Sequence, residues 1–111
     1  MTEYRLIPLP GGVDADFALD LDRDAPKALL AQGKTVYIQR RTDLLDGDVG
    51  LFYSQDGMVF RQFCQDSAGN VYLFALDRAR RDEDLVIRPG GEMPVCYGRA
   101  VLRHPIALPM D

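Results

Sequence analysis

Groups able to do chemistry are sparse in this chain. His104 is the single histidine and sits between Arg103 and Pro105, so a Ser-His-Asp or Cys-His arrangement would have to use a residue that reads more simply as a surface or rim histidine. Cys64 and Cys96 stand far apart with no paired partners, unlike the closely spaced ligand pairs of a zinc site. Both lie in apolar, strand-like runs, where a thiol behaves as a small hydrophobe. Asp20-Leu-Asp22-Arg-Asp24 mimics the opening of a calcium loop. That loop next needs Gly, where Ala25 stands, and a closing Glu, where Ala31 stands. An acidic, wet strand face explains these aspartates better. Ser54 and Ser67 are the only serines, Lys27 and Lys34 the only lysines, and no Walker or Rossmann glycine loop is present. No metal or cofactor is expected.

The local basic cluster Arg78, Arg80 and Arg81 is flanked by Asp77, Asp82, Glu83 and Asp84, and the whole chain carries a net charge of −4. Nucleic-acid binding usually needs a concentrated basic face. The cluster reads as a solvated loop, and direct contact with DNA is not expected.

The elements that must position these residues follow from periodicity. A length of 111 residues and a hydrophobic fraction of 47% fit one domain over residues 1–111 with one modest core. From Ala15 to Asp24 the period is two: Ala15, Phe17, Leu19 and Leu21 alternate with Asp16, Ala18, Asp20 and Asp22, the pattern of a strand with one buried and one acidic face. Asp24 then reads as a helix N-cap, Pro26 as a first-turn residue and Gly33 as a stop, giving one short helical turn. Further strands are predicted over Lys34–Gln39, Val49–Ser54, Met58–Gln65, Val71–Leu76, Leu85–Ile87 and Val95–Arg103. Gln55-Asp56-Gly57 reads as a hairpin turn and Asp66–Asn70 as another turn. Residues 1–13 form an N-terminal strand and linker, and residues 105–111, with two prolines, an extended surface tail. The fold class is therefore all-β, about seven short strands in a sandwich or barrel-like domain. The N-terminus lacks the apolar stretch of a signal peptide, and no run approaches the roughly 20 apolar residues of a membrane span. A reduced, cytoplasmic protein without a membrane partner is expected.

The order of the motifs resembles the S24 peptidase family, the C-terminal domain of LexA and phage-repressor-type (XRE-family) transcriptional regulators. Asp16-Phe17-Ala18-Leu19 is similar to the strand leading to the family nucleophile, and Asp24 to the Asp before it. Ala25 then falls on the serine and Pro26 on the methionine that follows it. Gly33 matches a family Asp-Gly, with Gln32 for the Asp, and Val36-Tyr37-Ile38 the next strand. Leu45–Phe52, containing Asp46-Gly47-Asp48, resembles the second Asp-Gly-Asp strand opening, and Met58–Phe63 the strand of the general-base lysine, on which Arg61 falls. Val71–Asp77 and Val95–Leu102 resemble the last two strands, so the resemblance spans roughly Asp14 to Leu102. It implies the β-clip fold of LexA and signal peptidases.

The departures decide the expected function. The family attacks a peptide bond with a serine activated by a neutral lysine. Alanine has no nucleophile, and arginine does not give up its proton in a protein. Arg61 and the altered residues around Ala25 point to natural degeneration rather than one engineered change. The resemblance thus implies a pseudo-peptidase whose remaining role is that of the dimerisation and regulatory module of a repressor, a homodimer meeting DNA only through a separate helix-turn-helix domain. Whether the chain is part of a larger regulator or free-standing stays open. By family analogy the terminal strand, with Tyr97, Arg99, Val101 and Arg103, is a candidate dimer interface. A retained peptide- or ligand-binding groove at Asp24, Ala25, Pro26 and Arg61 is an alternative. There Arg61 would grip a carboxylate, or else be exposed or ion-paired, with Asp24 as a possible partner. An active serine peptidase using substitute residues is a further alternative.

Overall fold

Period-two runs rich in Val, Ile, Tyr and Phe pair into strands wherever one face can be buried. The computed structural model describes residues 4–54 and 57–109. In chain order its elements are β1 (Arg5–Ile7), β2 (Phe17–Asp20), α1 (Lys27–Leu30), β3 (Thr35–Gln39), β4 (Val49–Ser54), β5 (Gly57–Gln65), β6 (Val71–Ala75), a 3₁₀ segment (Arg78–Glu83), β7 (Leu85–Ile87) and β8 (Cys96–Val101). The protein is all-β. One eight-stranded sheet runs β1-β2-β3-β8-β4-β5-β6-β7, with every pairing antiparallel. No helix among the described residues is long and apolar enough to cross a membrane.

Two meanders, β1-β2-β3 and β4-β5-β6-β7, are joined by β8, which pairs with β3 on one side and β4 on the other. The sheet curls, so that distant strands share a core. Leu19 of β2, Ile38 of β3, Ala100 of β8, Leu51 of β4 and Phe60 of β5 pack in one cluster with Leu29 of α1. Tyr4, just ahead of edge strand β1, lies against Phe60 with ring centroids 5.1 Å apart. On β4 both faces are buried: Val49 and Leu51 face this cluster, while Gly50 and Phe52 face away from it.

Several expectations are corrected. Asp24 does not cap the helix. Pro26 occupies the N-cap without a side-chain bond, and the Asp22 carboxylate accepts from the Asp24 backbone N–H at 2.9 Å, turning the chain one step earlier. The alternating run from Ala15 yields a strand only over Phe17–Asp20, because its partner β3 begins at Thr35, opposite Asp20. The run 78–83 is not wholly a solvated loop. The Asp77 carboxylate caps a 3₁₀ turn by accepting from Ala79 N, and Asp84 accepts two bonds from Arg78, each 3.0 Å long. β1 adds an eighth strand inside the expected N-terminal strand and linker. The 55–56 part of the expected hairpin turn lies outside the described residues; Ser54 and Gly57 pair on either side of it.

The C-terminal segment is clasped rather than merely extended on the surface. Gln62 of β5, only 2% exposed, donates from its amide to Ile106 O at 2.6 Å and to Gly47 O at 3.1 Å. The Gln32 amide donates to His104 O (2.7 Å) and accepts from Arg103 N (2.8 Å). Ile106 packs on the core cluster. Removing the buried donor leaves two carbonyls without it, at ~1–3 kcal/mol. Gln62→Ala should therefore lower the unfolding free energy by about that much and speed amide exchange in residues 103–109; unchanged exchange there would remove Gln62 as the clasp.

Gly98 admits β8 to the sheet centre. A Cβ at this position would overlap the Gln39 carbonyl oxygen and press on Ile38 Cγ2 at 2.7 Å. Gly98→Ala should cost ~3 kcal/mol in a urea unfolding curve. The control Gly11→Ala, whose Cβ would meet nothing within 4 Å, should leave the midpoint in place.

Candidate functional site: a cleft between the β2–α1 turn and β5

The turn after β2 is fixed by backbone bonds. Leu21 N donates to Lys34 O (2.7 Å) and Ala25 N to Asp22 O (3.1 Å). Ala25 is thereby buried. Along β5 the faces alternate: Phe60 and Gln62 point inward, while Arg61 lies between Gly50 and Ala75 on the neighbouring strands. Curling of the sheet places the turn opposite Arg61. Asp24, Ala25, Pro26 and Arg61, the four groove residues expected from the sequence, line one cleft of about 100 Å³ together with Tyr4 and Glu83. A larger groove of about 530 Å³ adjoins it, floored by Phe52, Leu73, Leu85 and Pro94. The two cavities share Val59, Arg61, Arg80 and Glu83.

Arg61 dominates the electrostatics. Its side chain is 15% exposed. One terminal nitrogen donates to Phe60 O at 2.9 Å, the other lies 3.4 Å from Glu83 Oε1, and Nε is buried without a hydrogen-bond partner. Its ion partner is Glu83, not Asp24, because the 3₁₀ segment carries Glu83 over β5. Burial pushes the guanidinium pKa down, and the Glu83 and Asp84 carboxylates pull it back up. Burial pushes the Tyr4 hydroxyl up to about 12, helped by the negative charge of Asp22 and opposed by Arg61.

Tyr4, Arg80 and Glu83 were not singled out from the sequence as site residues. Tyr4 precedes the stretch that carries the family resemblance, and the other two sit in a charge run. No local signal announces them, because their place in the cleft depends on tertiary packing.

Of the expected interface residues, Tyr97, Arg99 and Val101 alternate along β8 with the buried Gly98 and Ala100. Tyr97 is exposed and meets Tyr53 edge-on at 6.5 Å. Arg99 lies 3.7 Å from Asp48, donates to Gln39 Oε1 at 3.0 Å, and has a buried Nε without a partner. Arg99 and Val101 line a separate cavity of about 330 Å³ beneath the C-terminal segment. Arg103 is exposed beyond the end of β8. β8 pairs with β3 through Arg99–Val101 and with β4 through Cys96, Gly98 and Arg99.

Chemically the cleft offers a fixed positive charge and an apolar shelf. Its lining hydroxyls are those of Tyr4, Tyr53 and Ser54, the last donating to Gly57 O at 3.1 Å, and no lysine or histidine lines either cavity among the described residues. Burial pushes the thiols of Cys64 and Cys96 up, no disulfide joins them, and neither lines the cleft. The described residues contain no group of three or more His, Cys, Asp and Glu placed to hold a metal ion. No protein-family model, curated protein or solved structure matches this chain.

The Tyr4 hydroxyl gives a pH signature. The unfolded chain loses this proton near the ordinary value of 10, the folded chain near 12. The native state holds the proton more tightly, so its contribution to stability is complete below about pH 10 and is lost as the pH rises through about 12. In a tyrosinate absorbance titration, Tyr4→Phe should remove the latest step. Tyr72, which donates to Asp66 and is also shifted up, remains in that variant. An unchanged high-pH limb would place Tyr4 in solvent.

Proposed function

We propose that this chain is a catalytically silent S24-peptidase-like domain serving as the dimerisation and regulatory module of a cytoplasmic transcriptional repressor. Two copies associate, and DNA is met only through a helix-turn-helix domain elsewhere in the regulator. The observation that carries the reading is the meeting of Ala25 and Arg61 in one cleft. These are the two positions that the motif order aligns with a nucleophile and its base, and neither side chain can do that work.

Self-association is supported by an apolar patch at the start of β8. Tyr53, Val95 and Tyr97 are all exposed, Tyr53 meets Tyr97, and Tyr53 N donates to Val95 O at 2.9 Å, so the three are contiguous. Contiguous exposed apolar surface often marks a protein–protein contact.

Sedimentation equilibrium tests the assembly role. A dimer is expected at micromolar concentration, and Tyr97→Glu should shift it to monomer by burying a charge in the interface. A wild-type monomer at the highest attainable concentration would overturn that role. A serine-reactive phosphonate at alkaline pH tests catalytic silence: no covalent adduct is expected, and labelling would overturn it.

A further inference from the structure

We infer that the cleft at Arg61 is a binding site for a carboxylate carried on an apolar body, Arg61 taking the carboxylate and the shelf of Phe52, Leu73, Leu85 and Pro94 taking the body. This names the ligand of the groove and goes beyond the assembly role, on which it does not depend.

The first support is an arginine buried with its bonding unfinished. Charge-assisted N–H···O bonds typically span about 2.7–2.9 Å. The Arg61–Glu83 contact is 3.4 Å, single, and accompanied by a partnerless Nε. The same fold completes such a pair nearby, where Arg78 holds Asp84 through two bonds of 3.0 Å. Arg61 has the buried charge of such a site, but its other terminal nitrogen meets the neutral Phe60 carbonyl at 2.9 Å instead of a second carboxylate oxygen. A buried charge left underbonded is destabilising, and an incoming carboxylate relieves it.

The second support is Glu83 itself. Its side chain is 44% exposed and is carried on the last residue of the 3₁₀ segment. It occupies the mouth as a weakly held carboxylate that can swing into water. An intramolecular carboxylate also shows which ligand chemistry the guanidinium accepts.

The third is the shape and charge of the walls. The groove of about 530 Å³ is of small-ligand size and continuous with Arg61. Arg80 lines both cavities, whereas Asp24 and Asp77 line only the smaller one. An anion is therefore repelled from the α1 end and held at the Arg61–Arg80 end, next to the apolar shelf. A doubly charged phosphate would face the same aspartates at greater cost, so a single carboxylate fits better.

Such a carboxylate can belong to a small organic acid or to the last residue of a peptide. The test titrates the full chain by heteronuclear NMR with octanoate and with N-acetyl-Leu-Leu, each against its methyl ester. We expect saturable shifts at Arg61, Leu73 and Leu85, and esters binding at least ~10-fold more weakly, a loss of ~1.4 kcal/mol. Glu83→Gln should tighten acid binding several-fold by removing the internal competitor, and Arg61→Met should abolish the preference for acid over ester. Saturation by octanoate alone assigns a small-molecule site, and by the peptide alone a C-terminus site. No saturation at millimolar concentration by either acid, equal affinity for acid and ester, or weaker binding by Glu83→Gln would each overturn the inference. A monomer that binds octanoate overturns the assembly role alone, and a dimer that binds neither acid overturns only this site.

Discussion

Everything in this structure depends on β8 lying between β3 and β4. The two meanders that flank it have no strand pairing with each other except through β8. Those pairings join the terminal strand to segments far back in the chain, so the sheet cannot close until nearly the whole chain has met itself. The close pass is possible because Gly98 has no Cβ to strike the Gln39 carbonyl, and a register shift opposite Leu51 and Phe52 absorbs the local irregularity. The clasp on the C-terminal segment then works in the same direction. Gln62 and Gln32 hold residues 103–106 by side-chain bonds to backbone, where prolines would interrupt a strand.

That closure also builds the cleft, which is a seam between the meanders. One wall is the β2–α1 turn and Tyr4 from the first meander; the other is β5 and the 3₁₀ segment from the second. Neither half alone would bury Arg61. The seam therefore joins fold and site energetically: what opens the sheet at β8 also hydrates Arg61 and Tyr4. The desolvation that raises the Tyr4 hydroxyl pKa and lowers that of Arg61 is one environment acting on an acid and a base in opposite directions.

Strands β4, β5 and β6 were legible because each runs over five residues or more of strand-forming types and ends at a turn. Val71–Ala75 lies within the predicted run, and Val49–Ser54 matches it. β1 was harder: three residues, Arg5-Leu6-Ile7, offer no period, and β2 decides their state. The shift from Asp24 to Asp22 illustrates a limit of capping rules. Two aspartates two residues apart are equivalent in composition, and only the buried path of Leu21 and Ala25 selects between them. The 3₁₀ turn hid inside a charge run because its caps, Asp77 and Asp84, look like the solvated aspartates around them. For the site, spacing and motif order picked out Asp24, Ala25, Pro26 and Arg61, which do share a cleft. Glu83 could not be paired with Arg61 from sequence, since that contact exists only after β5 and β6 align and bring the 3₁₀ segment over β5.

Ala25 and Arg61 are best understood as a pair set by volume and charge. Ala25 is buried in the wall of a cavity of only about 100 Å³, so a larger side chain there would take space that now faces the guanidinium. An arginine at position 61 also keeps its charge at any pH the protein meets, even where burial pulls its pKa down. A lysine so buried could become neutral and end the electrostatic demand. Arg61 cannot, so the cleft carries a permanent positive charge that a carboxylate can neutralise with matching two-toothed geometry. Glu83 meets that demand in part, from a position half in water. The physical character of the seam is thus a charge held ready between two apolar walls, with its own carboxylate loosely engaged.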